Sequence, residues 1–133
     1  MLVNVPLSPN TRVDNPIVGY PAITTLELVA TVRIDKSFGE ELLAEKIREA
    51  MDTINKQVIF TNLPTIDQIR FYKRAVCYEA AALIGEDNLD YDTATGGQIR
   101  GENGLTKSDV LRRKVQYAIA DLTGRPRHRV KLI

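Results

Sequence analysis

The side chains that most often perform chemistry in proteins are scarce in this sequence, which has one cysteine, Cys77, and one histidine, His128. A single histidine cannot supply a pair of imidazole ligands to a metal. Cys77 lies in an apolar helical stretch, where a buried, unreactive thiol is favoured over a nucleophile. Nothing in the sequence orients His128 as a base for it. We therefore expect a protein that is not an enzyme and that needs no cofactor.

Two short motifs resemble ligand sites but fail when their spacing is tested. A calcium-binding loop that started at Asp90 would place Ala94 where a ligand is needed and Thr95 where glycine is needed. Residues 96–101 are rich in glycine, but no Gly-Lys-Ser/Thr follows them and no strand precedes them, so a phosphate-binding loop is not supported. Both stretches are more typical of a solvated loop.

The most distinctive stretch is the C-terminal tail, residues 125–133. Gly124 suits the left-handed residue that follows a helix, and Pro126 cannot continue a helix, so the preceding helix should end near Thr123. Apolar and basic residues then alternate as in a strand, which indicates either a segment that docks on another protein or a solvated terminus. The candidate binding residues of this tail are Arg125, Arg127, Arg129, Val130, Lys131, Leu132 and Ile133.

Size and charge restrict the class of protein. A chain of 133 residues is expected to form one domain with a core of its own. The net charge of +1 argues against a surface built entirely for nucleic acid. We see no signal peptide and no apolar run of membrane-spanning length, so the chain is expected to start in a cytoplasm.

The first third of the chain allows alternatives. Residues 1–22 contain four prolines, so regular structure is not expected there, and the segment is either an arm laid on a surface or partly disordered. Thr24 or Thr25 can cap a short first helix, with Glu27 in its first turn. The β-branched residues that follow would also suit a strand.

Three longer helices should form the core. Ser37 and Glu40 have the spacing of a capping box and open a helix that reaches about Gln57 or Phe60. The next helix, from about residue 66 to 85, is apolar on two sides, so the rest of a bundle or a neighbouring copy must cover both. The residues expected to face the core are Leu43, Ile47, Ala50, Met51, Ile54 and Val58; then Ile69, Tyr72, Val76, Ala80 and Leu83 on one side of the two-sided helix and Phe71, Ala75, Tyr78 and Ala82 on the other; and Leu111, Val115, Ala118, Ile119 and Leu122 in the last helix.

Two further groups of polar residues are candidates for contacts. The two-sided helix begins with Arg70, Lys73 and Arg74, which either meet DNA or simply face water. The sequence shows no helix-turn-helix with base-reading residues. The loop between the last two helices carries five glycines over residues 85–105, and a loop of that kind is often functional. Its candidate neighbour-facing residues are Asp90, Asp92, Gln98 and Arg100.

Together these patterns predict an all-α fold. We expect a small helical bundle of about four helices over residues 23–124, an extended N-terminal arm over residues 1–22 and an extended C-terminal tail over residues 125–133.

The second half of the chain resembles the head-completion proteins (gpL type) of temperate contractile-tailed phages. The resemblance is carried by residues 71–76 (FYKRAV), 113–122 (RKVQYAIADL), 124–127 (GRPR) and 130–133 (VKLI). It extends more weakly over residues 32–35 and the Ser37 helix, and so covers roughly residues 23–133. The chain departs from the family in the loop at residues 90–104 and in the basic character of its tail.

This resemblance implies a non-enzymatic virion structural protein, a head–tail connector or adaptor subunit of the neck, present in the host cytoplasm during assembly. It implies a ring, a dodecamer, that sits beneath the portal, stabilises the DNA-filled head and offers a platform to further neck and tail proteins. The implied partners are the portal protein, neighbouring copies, the next neck or tail-terminator protein and the packaged DNA backbone, with no membrane contact. The tail would add to the portal as a strand. The alternative from the residues alone is a small helical nucleic-acid-binding regulatory protein.

Overall fold

The computed structural model of the chain describes residues 10–34, 38–87 and 107–124. These residues form four helices and one short antiparallel strand pair, so the predicted all-α bundle is confirmed. None of the helices in these ranges is long and apolar enough to span a membrane. The elements are β1 (Arg12–Val13), β2 (Ile23–Thr24), α1 (Thr25–Thr31), α2 (Glu40–Asn55), α3 (Ile66–Asp87) and α4 (Lys107–Thr123).

Helix α3 lies at the centre and packs against each of the other three helices. All nine residues of its two predicted apolar stripes are buried or partly buried. The prediction that α3 must be covered on two sides is therefore confirmed, and the bundle itself supplies both covers. The apolar stripes predicted for α2 and α4 are also confirmed, because their members are all buried.

Helix α1 begins with the predicted cap. The Thr24 hydroxyl accepts from the Glu27 backbone N–H at 3.1 Å, and the Glu27 carboxylate accepts from the Thr24 N–H at 2.9 Å. Two otherwise unpaired donors of the first turn are satisfied in this way. The cap, together with the complete burial of Leu28, explains why this β-branched stretch is helical and not a strand.

The predicted cap of α2 is wrong. The N-cap residue is Gly39, which makes no side-chain cap bond, and Ser37 lies outside the described residues. The Glu40 carboxylate accepts from the hydroxyl of buried Thr25 at 2.6 and 2.8 Å, so it joins the starts of α1 and α2. The helix also ends at Asn55, earlier than predicted.

The described part of the N-terminal segment lies on the bundle. We expected no regular structure in this segment, but β1 lies within it and pairs antiparallel with β2. Val13 of β1 is 1 % exposed and belongs to the core. From residue 10 onward this segment is therefore packed on the bundle, whereas residues 1–9 lie outside the described residues, and the arm over residues 1–22 stays a prediction.

A buried tyrosine hydroxyl joins this segment to two helices. Tyr72 of α3 donates to the Asn55 side chain at 2.6 Å and accepts from the Asn15 side chain at 2.6 Å. Asn55 in turn donates to Asn15 at 3.1 Å, which closes a ring of three hydrogen bonds. Burial raises the pKa of Tyr72 to about 12, although the bond from Asn15 acts in the opposite direction. The phenol therefore stays neutral at any physiological pH.

We predict that Tyr72→Phe lowers the free energy of unfolding by about 1–2 kcal/mol, because two buried amide groups each lose a hydrogen-bond partner. Urea unfolding followed by circular dichroism measures the change. Tyr78→Phe is the matched control, since Tyr78 is only partly buried, and should change stability by less than about 0.5 kcal/mol. Equal effects of the two substitutions would contradict a structural role for the three-residue ring.

Candidate functional site

The structure fixes where the predicted binding tail begins. Helix α4 ends at Thr123, and Gly124 follows with a φ of 75°, so the predicted helix end and left-handed glycine are confirmed. Any residue with a Cβ would be strained there. Residues 125–133, which include every predicted tail contact, lie outside the described residues, as do the predicted loop contacts Asp90, Asp92, Gln98 and Arg100.

Helices α3 and α4 are antiparallel, which decides the end of the bundle at which Gly124 lies. Ser108, at the start of α4, donates to the Ala82 carbonyl near the end of α3 at 3.4 Å. The Lys114 ammonium lies 5.6 Å from the centre of the Tyr78 ring. At about 1.5 Å per residue, Thr123 lies ~14 Å beyond Lys114, and the start of α3 lies ~18 Å before Tyr78. Gly124 is therefore level with the first turns of α3.

An ion-pair cluster holds the two helices in this register. The Arg112 guanidinium of α4 donates to Glu79 at 3.0 Å and makes two bonds to Glu86 at 2.8 and 3.0 Å. Burial lowers the pKa of Arg112, but the two carboxylates outweigh it and the net shift is upward. Sequence reasoning missed this cluster, although one signal was present: Glu79 is the only charged residue between Ala75 and Ile84.

Lys73, one of the three predicted DNA-facing residues, has an acidic partner within the chain. Its ammonium lies 2.7 Å from the Glu27 carboxylate of α1. Burial raises the pKa of Glu27, but hydrogen bonds from Lys73 and Thr24 outweigh it and lower the pKa overall. Lys73 thus helps to fix α1 on α3.

Arg70 and Arg74 lie one turn apart on the outer edge of α3. Their guanidinium carbons are 4.9 and 5.5 Å from the centre of the Phe71 ring, within cation–π range. Arg70 also pairs with Asp67 at 3.2 Å, where both side chains are exposed, so the pair is worth little. The structure therefore brings these two arginines together around one aromatic ring.

The described residues offer no obvious catalytic group. Cys77 is completely buried, and burial raises the pKa of its thiol to about 12, so the expectation of a buried thiol is confirmed. Within the described ranges no three His, Cys, Asp or Glu side chains are placed to hold a metal ion. His128 lies outside these ranges.

We predict that Arg112→Met destabilises the protein by about 2 kcal/mol, because the buried Glu79 carboxylate loses its charged partner. Thermal or urea unfolding measures the loss. Combining Arg112→Met with Glu79→Gln should recover at least half of it, since the unpaired charge is then gone. Arg113→Met, at an exposed position one residue away, is the control. A double variant no more stable than Arg112→Met alone would argue against this pairing.

Comparison with known proteins agrees with the resemblance seen in the sequence. A family model described as phage head completion protein (GPL) matches residues 64–133, more than half of the 133 residues. The match spans α3, α4 and the tail. No match was found among curated proteins or among solved structures. The chain belongs to the family of phage head completion proteins (GPL), and its role is that of a virion structural protein in head completion.

Proposed function

We propose that the chain is a head–tail connector subunit that assembles as a ring beneath the portal, and that residues 125–133 bind the portal. The observation that carries this proposal is the end of α4. The helix stops at an exposed, left-handed Gly124, and the following sequence alternates basic and apolar residues. A segment of that pattern can add to the edge of a partner's sheet through its backbone.

The length and the apolar residues of the tail suit a contact that is weak in one subunit and repeated around a ring. Nine residues reach roughly 30 Å at ~3.3 Å per residue, enough to pass from one ring to the next. Burial of Val130, Leu132 or Ile133 contributes about 1.5–3 kcal/mol each before the cost of ordering the tail. A ring presents many copies at once, so a modest affinity per tail becomes a firm attachment.

We extend the proposal to the packaged DNA. Arg70 and Arg74 are the candidates for contact with phosphates, because they lie on the outer edge of α3. Lys73 is the weakest of the three predicted residues, because its ammonium is already paired with Glu27 at 2.7 Å. Arginine pairs with phosphates through charge and directed N–H groups.

The other proposed contacts are with protein. Asp87 and Lys107, which flank residues 88–106, lie at the end of the bundle opposite Gly124. We propose that residues 88–106 meet a neighbouring copy or the next neck or tail-terminator protein through Asp90, Asp92, Gln98 and Arg100. In this arrangement the subunit acts by binding alone, and the ring serves as a platform for later neck and tail proteins.

We predict that a chain without residues 125–133 folds normally but fails to join DNA-filled heads, because the portal contact is lost. Circular dichroism reports the fold, and binding to purified heads that lack this protein reports incorporation. Two further variants distinguish apolar from charged contacts of the tail. One combines Val130→Ser, Leu132→Ser and Ile133→Ser and removes the apolar contacts. The other combines Arg125→Gln, Arg127→Gln and Arg129→Gln and removes positive charge. Normal incorporation of the shortened chain would refute portal docking by the tail.

We predict that Arg70→Ala with Arg74→Ala weakens binding of the isolated protein to duplex DNA and reduces the slope of log affinity against log salt by roughly 2, since about two phosphate contacts are lost. Fluorescence anisotropy with a labelled duplex at several salt concentrations measures this. Arg48→Ala, which removes an exposed arginine of α2, is the control. An unchanged slope in the double variant would exclude the proposed phosphate contacts.

A further inference from the structure

Three large aliphatic side chains are almost fully exposed between the end of α2 and the first residue of α3, and a fourth is exposed in the N-terminal turn that is hydrogen-bonded to this segment. The exposed fractions are 98 % for Val18, 81 % for Ile59, 85 % for Leu63 and 85 % for Ile66. We call these four residues the apolar rim. Single exposed aliphatic residues are ordinary, but a group at one place on the surface is typical of an interaction site.

The apolar rim is held on ordered turns. Gly19, with a φ of 89°, completes a turn in which the Tyr20 N–H donates to the Ile17 carbonyl at 3.1 Å. The Tyr20 hydroxyl then donates to the Val58 carbonyl and accepts from the Phe60 N–H, each at 3.1 Å. These bonds fix the turn that carries Val18 against the segment that carries Ile59.

Ile66 is fixed by the start of α3. The Thr65 hydroxyl accepts from the Gln68 N–H at 3.1 Å, and the Gln68 side chain accepts from the Thr65 N–H at 2.9 Å. This is a capping box, so Ile66 is the first residue of a well-defined helix. A surface that is already ordered loses little conformational entropy when a partner covers it.

The composition around the apolar rim indicates the chemistry of that partner. Residues 15–24 and residues 57–66 contain no charged residue, although 26 % of the chain is charged. Depletion of charge marks the buried centre of protein–protein interfaces. The cations nearest to residues 57–66, Lys56 and Arg70, lie outside these two stretches, so the stretches themselves offer a partner aliphatic contacts and no ion pairs, which suits an apolar protein surface.

The position of the tail selects one partner. Gly124 is level with the first turns of α3, so residue 124, to which residues 125–133 are attached, lies at the end of the bundle that carries Ile66. A partner bound by the tail is thereby held at high local concentration next to the apolar rim. We infer that the apolar rim is a second, rigid contact for the partner that takes the tail, and that it seats against an apolar surface of the portal. This inference depends on the proposed function, because that function names the portal.

The test compares full-length variants for binding to purified portal oligomers of the same phage. The rim variant combines Ile59→Ser, Leu63→Ser and Ile66→Ser, and the matched control is Leu26→Ser, which changes a half-exposed leucine of α1. We expect the rim variant to bind the portal at least about tenfold more weakly, since burial of even one aliphatic side chain is worth that factor. We expect the control to bind as the parent does.

Further measurements separate the possible outcomes. The variant without residues 125–133 tests the proposed function: if it loses portal binding while the rim variant binds normally, the tail proposal stands and the rim inference fails. If the tail-deleted variant still binds normally, the proposed function fails. Sedimentation velocity shows whether the rim instead joins two copies, in which case the rim variant changes its oligomeric state and not its portal affinity. Urea unfolding shows whether the chain itself covers the rim, in which case the rim variant loses stability. Either of these last two results overturns the inference.

Discussion

The burial of α3 from several sides is the constraint on which the rest of the structure depends. A helix with apolar residues on two faces cannot stand at the edge of a small bundle, because one face would remain in water. Helices α1, α2 and α4 all pack against it, and Arg70 stays exposed on an outer edge of α3. Helix α4 runs antiparallel to α3 through the contacts of Ser108 and Arg112, which places Gly124 level with the first turns of α3.

Hydrogen bonds and ion pairs then set how the N-terminal segment, α2 and α4 are positioned along α3. Tyr72 ties the N-terminal segment and α2 to α3 through two amide side chains. Arg112 ties α4 to α3 through two carboxylates. Lys46 of α2 pairs with Asp87 at the end of α3. Burial alone does not choose between neighbouring registers of apolar stripes, whereas a buried polar group is costly unless its particular partner is reached.

The bundle has two ends of different character. At the end where Gly124 lies, uncharged turns expose aliphatic side chains. At the other end, α3 ends at Asp87 and α4 begins at Lys107. The ion pairs of Arg112 with Glu79 and Glu86 lie close to this end. Under the proposed function, in which the subunit lies between the portal and later neck proteins, these two ends would serve as two distinct contact faces. A rigid bundle between them fixes their separation and orientation.

The sequence by itself determined the number of helices, their apolar faces and the stop at Gly124. Each of these follows from local rules: the 3.6-residue period, the capping preference of threonine and the left-handed backbone that glycine allows. It also identified the family, through stretches in α3, in α4 and in the tail. Local rules failed where a distant residue competes for a side chain, as when Glu40, which was expected to complete a capping box, bonds to Thr25 of α1. They also could not show that segments far apart in the chain are joined, as Tyr20 joins the turn after Ile17 to Val58 and Phe60. Only the tertiary structure decided these points, because they depend on which segments lie side by side once α3 is buried.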